Sequence, residues 1–274
     1  MKYETLHGLS IPKIGFGTAQ LGGSRRPDRS KEDYYLASVR SALELGYTHV
    51  DTAERYAQGH AEELIGRAIR DLQIRRENLF ITSKVLPTLW SYTKVMRACE
   101  GSLRRLGTDY LDLYLIHFPN PLASMKETFR ALNQLLREGK VRHLGVSNFN
   151  LKQLKNAQRL SESPIFTNQV PYNIFFRAFA RNGVLEYCQQ NDILFTAYTP
   201  LKINMKGIRT NHVIQSIARA HETTPFQIAL AWLVAQPRVI TIPMSFNQGH
   251  QKENLEAADI ELTQFEMDQL DRLA

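Results

Sequence analysis

Leu111-Asp112-Leu113-Tyr114-Leu115-Ile116-His117 is apolar but for Asp112 over six residues, and then stops on a histidine. A strand with one wet face alternates apolar and polar residues. A run without that alternation belongs to a strand covered on both faces, as in a parallel sheet. Leu79-Phe80-Ile81-Thr82 has the same character. Working outward, eight strand-like runs end near Gly17, Asp51, Lys84, His117, Ser147, Gln169, Ala197 and Pro243. The first four ends are spaced 34, 33 and 33 residues apart and the later gaps are 30, 22, 28 and 46, each long enough for one crossover helix.

Between these runs the apolar residues change to a helical period. Leu36, Val39 and Leu43 share a face, as do Val95, Cys99, Leu103 and Leu106, and Phe129, Leu132 and Leu136. Thr224-Pro225 reads as an N-cap and first-turn pair opening a helix from Phe226 to Ala235. Ahead of the first unit, Tyr3-Glu4-Thr5-Leu6, a His7-Gly8 turn and Ser10-Ile11-Pro12-Lys13-Ile14 suggest a short opening hairpin. No linker or low-complexity segment divides the chain. Eight β-then-α units predict an α/β fold, a (β/α)8 TIM barrel with a short N-terminal β-hairpin, as a single domain over residues 1–274. An open doubly wound sheet is the alternative that the pattern alone leaves.

Composition narrows the function classes. The 274 residues are 43% hydrophobic and 22% charged, the balance of an ordinary globular enzyme. The formal charge is +7, but the densest basic clusters are the pairs Arg25-Arg26, Arg75-Arg76 and Arg104-Arg105. With no basic stripe and no interleaved aromatics, a nucleic-acid face is not expected; the excess charge would instead help attract anionic small molecules. Cys99 and Cys188 each sit in a helix-like stretch without a CxxC or a histidine at metal spacing, so buried inert thiols and no metal are expected. Met1-Lys2-Tyr3-Glu4-Thr5 has no apolar leader core and no apolar run reaches transmembrane length. A soluble, cytoplasmic protein without membrane partners is expected, acting as a monomer with an oligomer left open.

In a barrel of this kind the active site lies at the carboxyl ends of the strands. Three consecutive runs end there on a residue able to handle protons: His49-Val50-Asp51, Phe80-Ile81-Thr82-Ser83-Lys84 and Leu115-Ile116-His117. Tyr56 follows Asp51 closely enough for its loop to swing a phenol over the same mouth. Taken singly, each has an ordinary explanation: Asp51 as a helix cap, Lys84 as a solvated charge, His117 as a satisfied rim histidine, Tyr56 as packing. Their convergence on one face is harder to explain that way. A phenol ionises near pH 10, a nearby ammonium favours its phenolate and lowers that value, and a carboxylate holds the ammonium charged. An imidazole beside them can polarise a carbonyl oxygen. Such a set supplies the proton for reducing a carbonyl to an alcohol but no hydride, so a cofactor is implied.

At this point the chain resembles a known family. Asp51-Thr52-Ala53-Glu54-Arg55-Tyr56, Thr82-Ser83-Lys84 and Leu115-Ile116-His117 match the Asp-Tyr-Lys-His tetrad of the aldo-keto reductases. Gly145-Val146-Ser147-Asn148-Phe149, Asn168-Gln169 and Ala197-Tyr198-Thr199-Pro200-Leu201 match further signatures, and the likeness runs from Ile14-Gly15-Phe16-Gly17-Thr18 to Asn254-Leu255. The resemblance implies NAD(P)H-dependent reduction of small aldehydes and ketones. Tyr56 would be the proton donor, tuned by Lys84 and Asp51, with His117 orienting the carbonyl. Ser147, Asn148 and Gln169 would hold the nicotinamide carboxamide, and Tyr198 would stack on its ring. Gly17, Thr18, Asp51, Thr199, Leu201 and Pro243 would line the cofactor's path. Gly15 to Gln20 is not a Rossmann fingerprint, because Gln20 stands at the third glycine position.

The adenosine end is where the match departs. Phosphate-selective members usually place a lysine at the Met244 position and an arginine at the His250 position, and this chain has neither. Ser245, His250 and backbone N–H groups are left to meet a 2′-phosphate, and Glu253 and Asn254 to meet the adenine. NADP(H) is the expected cofactor, with NAD(H) or dual use the rival. For the substrate, Ala19, Arg55, Leu86 and Phe118 predict an apolar slot with one cation, and Arg55 either faces water or selects a carboxylate or phosphate. The stretch from Thr199 to Thr210 reads as a short loop without aromatics, and the chain stops at Ala274 after a helix-like Thr263 to Leu273, which together suggest an open, permissive pocket.

Two other readings fit single elements of the pattern. A Schiff-base aldolase could use Lys84 as nucleophile, but leaves Tyr198 and Asn148 without a role. A non-catalytic, nicotinamide-binding regulatory barrel would leave the intact tetrad without one.

Overall fold

The computed structural model describes residues 2–86 and 91–273. The chain opens on an antiparallel hairpin, β1 (Tyr3–Leu6) and β2 (Leu9–Pro12). Eight parallel strands follow: β3 (Phe16–Gly17), β4 (His49–Asp51), β5 (Phe80–Val85), β6 (Leu111–Ile116), β7 (Val141–Ser147), β8 (Ile165–Pro171), β9 (Leu194–Tyr198) and β10 (Val239–Thr241). They pair in strict sequence order, each with the next. The first and last units close on each other through the backbone: the Gly15 N–H donates to the Thr241 carbonyl (2.8 Å), the Thr241 N–H to Lys13 (2.8 Å) and the Gly17 N–H to Pro243 (3.0 Å). An open sheet would leave both edges unpaired; these bonds make it a barrel.

The outer layer is α1 (Glu32–Glu44), α2 (His60–Asp71), α3 (Tyr92–Leu106), α4 (Met125–Arg137), α5 (Leu151–Leu160), α6 (Ala178–Arg181), α7 (Val184–Gln190), α8 (Met205–Thr210), α9 (His212–Ala220), α10 (Pro225–Ala235), α11 (Gln248–Glu256) and α12 (Gln264–Asp271). The expected stripes face inward: Leu36, Val39 and Leu43 of α1, and Val95, Cys99, Leu103 and Leu106 of α3, are all buried. Helix starts are fixed by side chains that take up orphan backbone N–H groups. Thr224 and Gln227 form a reciprocal capping box with Pro225 in the first turn of α10, and Asn150 with Gln153 does the same for α5. Each such cap stabilises its helix by about 1 kcal/mol.

Two expectations need correction. The intervals before β9 and β10 each hold more than one helix: α6 and α7 in the first, α8, α9 and α10 in the second. The stretch from Thr199 to Thr210 is not loop throughout, because Asn204 caps α8 by accepting from the Gly207 N–H at 3.0 Å. Asparagine, with its short acceptor side chain, is the start signal that a reading for apolar stripes passes over.

Two bodies of core result. The larger lies between strands and helices, from Ile14 and Val39 round to Trp232 and Leu270. The smaller fills the barrel's amino-terminal end, where Leu6 and Ile11 of the hairpin meet the strand residues Phe80, Leu113, Leu115, Phe166, Leu194 and Ile240. The hairpin therefore plugs the bottom, pinned by Lys13, whose ammonium contacts Glu4 (2.9 Å) and donates to the carbonyls of Val234 and Gln236. With that end filled, a cavity can open only at the carboxyl ends of the strands.

Gly17 sits at the seam between β3 and the segment after β10. A Cβ there would lie 2.5 Å from the Ile242 carbonyl oxygen, part of the backbone that closes the barrel. Gly17→Ala is therefore expected to destabilise the fold by about 1–3 kcal/mol, the cost of an overpacked core site. An unchanged urea midpoint would contradict this.

Candidate active site

Asp51 ends β4, Lys84 lies in β5 one residue before its end, and His117 follows β6, so neighbouring strands deliver three of the four tetrad side chains to one barrel face. Tyr56 comes from the turn after β4, where Ala57 and Gln58 adopt positive φ and fold the chain back over the mouth. The Lys84 ammonium donates to the Asp51 carboxylate at 2.5 Å, to the Thr52 carbonyl at 2.7 Å and to the Tyr56 hydroxyl at 3.4 Å. The Gln169 amide donates to the other Asp51 oxygen at 2.8 Å. The Tyr56 and His117 rings meet edge-to-face with centroids 5.8 Å apart, and Phe118 stacks on His117 at 4.6 Å.

Electrostatics follow from burial. Burial works against the charge on Lys84, but Asp51 and Tyr56 outweigh it and hold its value above the ordinary one, so the ammonium stays charged. Burial also pushes the Tyr56 phenol up, and the pull of Lys84 the other way does not bring it back. The expectation of a net lowering by the ammonium is thus corrected: desolvation of the phenolate is the larger effect. The Tyr56 hydroxyl keeps its proton at neutral pH. Burial, with Lys84 and Arg55 adding repulsion, lowers His117 to about 2, so its ring is neutral.

Above these groups lies a cavity of about 650 Å³. Asp51, Tyr56 and His117 line it, and Lys84 is fully buried beneath. Gly17, Thr18 and Ala19 contribute from the end of β3, and Ser147, Asn148 and Gln169 from the ends of β7 and β8. Tyr198 at the end of β9, Thr199 and Leu201 just after it, and Pro243 after β10 also line it, together with Arg55 and Phe118. Asn148 and Thr199 both hold positive φ, 64° and 53°. Non-glycine residues in that region persist only where their surroundings over-determine them, and they cluster at ligand sites. The Tyr198 hydroxyl donates to the Asn148 side-chain oxygen at 2.8 Å, tying these two strand ends together. His117 Nδ1 and Thr199 Oγ1 are buried polar atoms without a partner among the described residues.

Some candidates fall elsewhere. Leu86 does not line this cavity but a neighbouring one, and its backbone N–H is held by Glu54 at 2.5 Å. Ser245, His250, Glu253 and Asn254 lie beyond Met244, outside the cavity lining. There the buried Gln251, absent from the sequence candidates, organises the segment. Its side-chain amide donates to Ser38 and to the Ser245 carbonyl (2.9 Å), and its backbone carbonyl accepts from the Tyr47 hydroxyl (2.9 Å). The pocket is not a slot with a single cation: Arg25 and Lys202 line it as well as Arg55. Arg25 was visible as half of a basic pair, but nothing local to it says that the loop after β3 folds over the mouth. Among the described residues no cluster of His, Cys, Asp and Glu could hold a metal ion, and no helix is long and apolar enough to cross a membrane.

The donor set suits an amide-bearing aromatic ring. Ser147, Asn148 and Gln169 offer hydroxyl and amide groups around the Tyr198 ring, matching a carboxamide on a planar cofactor. Comparison with known proteins places this architecture. The methylglyoxal reductase YeaE of Escherichia coli (strain K12) is 37% identical over 96% of this chain and 91% of its own length. The crystal structure of the thermostable aldo-keto reductase Tm1743 with the inhibitor epalrestat superposes with a TM-score of 0.96 at 44% identity, covering 100% of both chains. That of an aldo/keto reductase from Klebsiella pneumoniae with NADP and acetate gives 0.89 at 36% identity, covering 99% of this chain and 95% of that one. The model of the Aldo/keto reductase family matches residues 13–274, and the chain belongs to that family.

Proposed function

We propose that the chain, acting as one reductase domain, reduces small aldehydes and ketones to alcohols reversibly, using NADPH, with Tyr56 supplying the proton. The single observation that carries this reading is the Tyr56 hydroxyl held 3.4 Å from a buried, charged Lys84 at the floor of the cavity. Tyr198, with Ser147, Asn148 and Gln169, would hold the nicotinamide of such a cofactor, which would supply the hydride. The protein's share is to position and to hold protons. Tyr56 donates from its hydroxyl to the carbonyl oxygen, and the Lys84 ammonium stabilises the phenolate left behind. Asp51 keeps the ammonium oriented, and Gln169 and Thr52 keep the pair satisfied. The neutral His117 ring carries one N–H to offer the same oxygen, fixing the carbonyl and stabilising the charge that develops on it. A regulatory, non-catalytic barrel would not need this buried charge pair beneath a phenol.

The relatives' names point the same way: the Escherichia coli protein is a methylglyoxal reductase, and the Klebsiella pneumoniae structure holds NADP. Ser245, His250, Glu253 and Asn254 would take the adenosine end. Cys99 and Cys188, both buried and free with thiols pushed up to about 12, are compatible with work in a reducing cytoplasm.

Oxidation of NADPH with an aromatic aldehyde tests the reading directly. Tyr56→Phe is expected to lower kcat by about 10²–10⁴-fold, the usual worth of general-acid catalysis, with NADPH affinity unchanged. A variant as fast as the wild type would end the proposal. The pH profile follows from the protonation states. Reduction needs the protonated phenol, whose value is raised, so kcat/KM is expected to stay level from about pH 6 to 9 and fall only above the ordinary phenol value near 10. With His117 down near 2, no histidine limb should appear on the acid side. Restoring the missing cations with Met244→Lys and His250→Arg should raise the NADPH-over-NADH ratio of kcat/KM by about tenfold, through charge-assisted bonds to the 2′-phosphate.

A further inference from the structure

We infer that a cationic groove beside the cavity mouth selects carbonyl substrates carrying a phosphate-monoester tail; this rests on the carbonyl-reductase reading above. A second cavity of about 590 Å³ adjoins the first, and Arg25 and Arg55 line both. From α3 it receives Lys94, Arg97, Arg104 and Arg105. Lys94, Arg97, Gly101 and Arg104 follow one another at three- and four-residue steps, the spacing of one helix face, with the Arg105 guanidinium lying over Gly101.

Among the described residues, most of these charges have no carboxylate partner. Arg105 is paired with Glu62 (2.7 Å), and Glu54, the acidic residue in the lining, is turned to the Leu86 N–H. Among the described residues no carboxylate lies within ion-pair distance of Arg25, Arg55, Lys94, Arg97 or Arg104. Elsewhere on the surface Arg29, Arg67, Arg137 and Arg238 each have a carboxylate partner. Cations without an ion-pair partner among the described residues, gathered around one concavity, repel each other and raise the local concentration of anions.

The groove is coupled to the chemistry by Arg55. It precedes Tyr56 in the chain, and its guanidinium lies over the Phe118 ring at 5.9 Å, the ring that stacks on His117. A molecule with its carbonyl oxygen between Tyr56 and His117 can extend past Arg55 into the groove. Cations spread over a helix face and two loops match a phosphate, with three acceptor oxygens and up to two charges, better than the single plane of a carboxylate. The groove is separate from the adenosine end of the cofactor, since Ser245, His250, Glu253 and Asn254 do not line it.

D-Glyceraldehyde and D-glyceraldehyde 3-phosphate form a matched pair for the test, each with wild type and an Arg97→Gln/Arg104→Gln double variant. Both substitutions lie outside the Tyr56 cavity. At low ionic strength, wild type is expected to prefer the phosphorylated aldehyde in kcat/KM by about tenfold or more, several partly screened contacts each giving a few-fold. The double variant should lose most of that preference, with glyceraldehyde turnover within about twofold and NADPH Kd by fluorescence unchanged. Equal kcat/KM for both aldehydes in wild type, or a preference that survives the double substitution, overturns the inference. A weaker NADPH Kd in the variant assigns the groove to the cofactor and overturns it too. Reduction of neither aldehyde sinks the parent reading along with this one, which separates the two failures.

Discussion

A lysine ammonium with no exposed surface is tolerable inside a protein only beside a fixed opposite charge, and Lys84 has one in Asp51. The desolvation of two such ions is not fully returned by their attraction, so a buried pair is not a device for stability. What the pair provides is a charge that stays put in a low-dielectric site, where its field on a neighbouring phenol is far stronger than in water. Everything at the barrel mouth is arranged around it. Gln169 reaches across from β8 to the second Asp51 oxygen, and the Thr18 hydroxyl and N–H both donate to the Asp51 carbonyl. The third and sixth barrel strands are thereby bound to one carboxylate on the second, and the end of the first to the backbone carbonyl of the same residue.

The same rigidity serves the far side of the cavity. Asn148 and Thr199 are held in a left-handed backbone conformation at the ends of β7 and β9, and the Tyr198 hydroxyl bridges to Asn148. The parts that would meet a planar ring are therefore preset by strand ends, while the cations at the mouth come from loops and from a helix outside the barrel. Positioning belongs to the sheet and selection to its periphery, the division on which this fold supports different chemistries.

Much of this was legible in the sequence because the barrel imposes a period. Near-continuous apolar runs, each followed by a helical stripe, gave strand ends within about two residues of those observed, and so brought Asp51, Lys84 and His117 to one face. Thr224-Pro225 announced α10 because capping is local chemistry. What stayed hidden is what depends on distant partners. Of the helices before β10, α8 went unread because its start is a lone asparagine without an apolar stripe behind it. Leu86 lines the neighbouring cavity, with its backbone N–H donating to Glu54. Gln251 carries no motif, yet ties Ser38 and Tyr47 to the segment holding the adenosine-end candidates. The sign of the Tyr56 shift was missed for a related reason: a neighbouring charge can be read from a motif, whereas the depth of burial opposing it cannot.

The backbone bonds from Lys13, Gly15 and Gly17 to Thr241 and Pro243 have a consequence for how the molecule is made. Partners separated by more than two hundred residues meet last on a chain that emerges from the ribosome amino-terminus first. Until Thr241 is available, β3 has a bare edge and the cavity lacks a wall, even though every proton-handling residue has long since been synthesised. The last wall of the cavity thus rests on the pairing of greatest sequence separation in the sheet, the kind of contact whose loop closure costs most entropy.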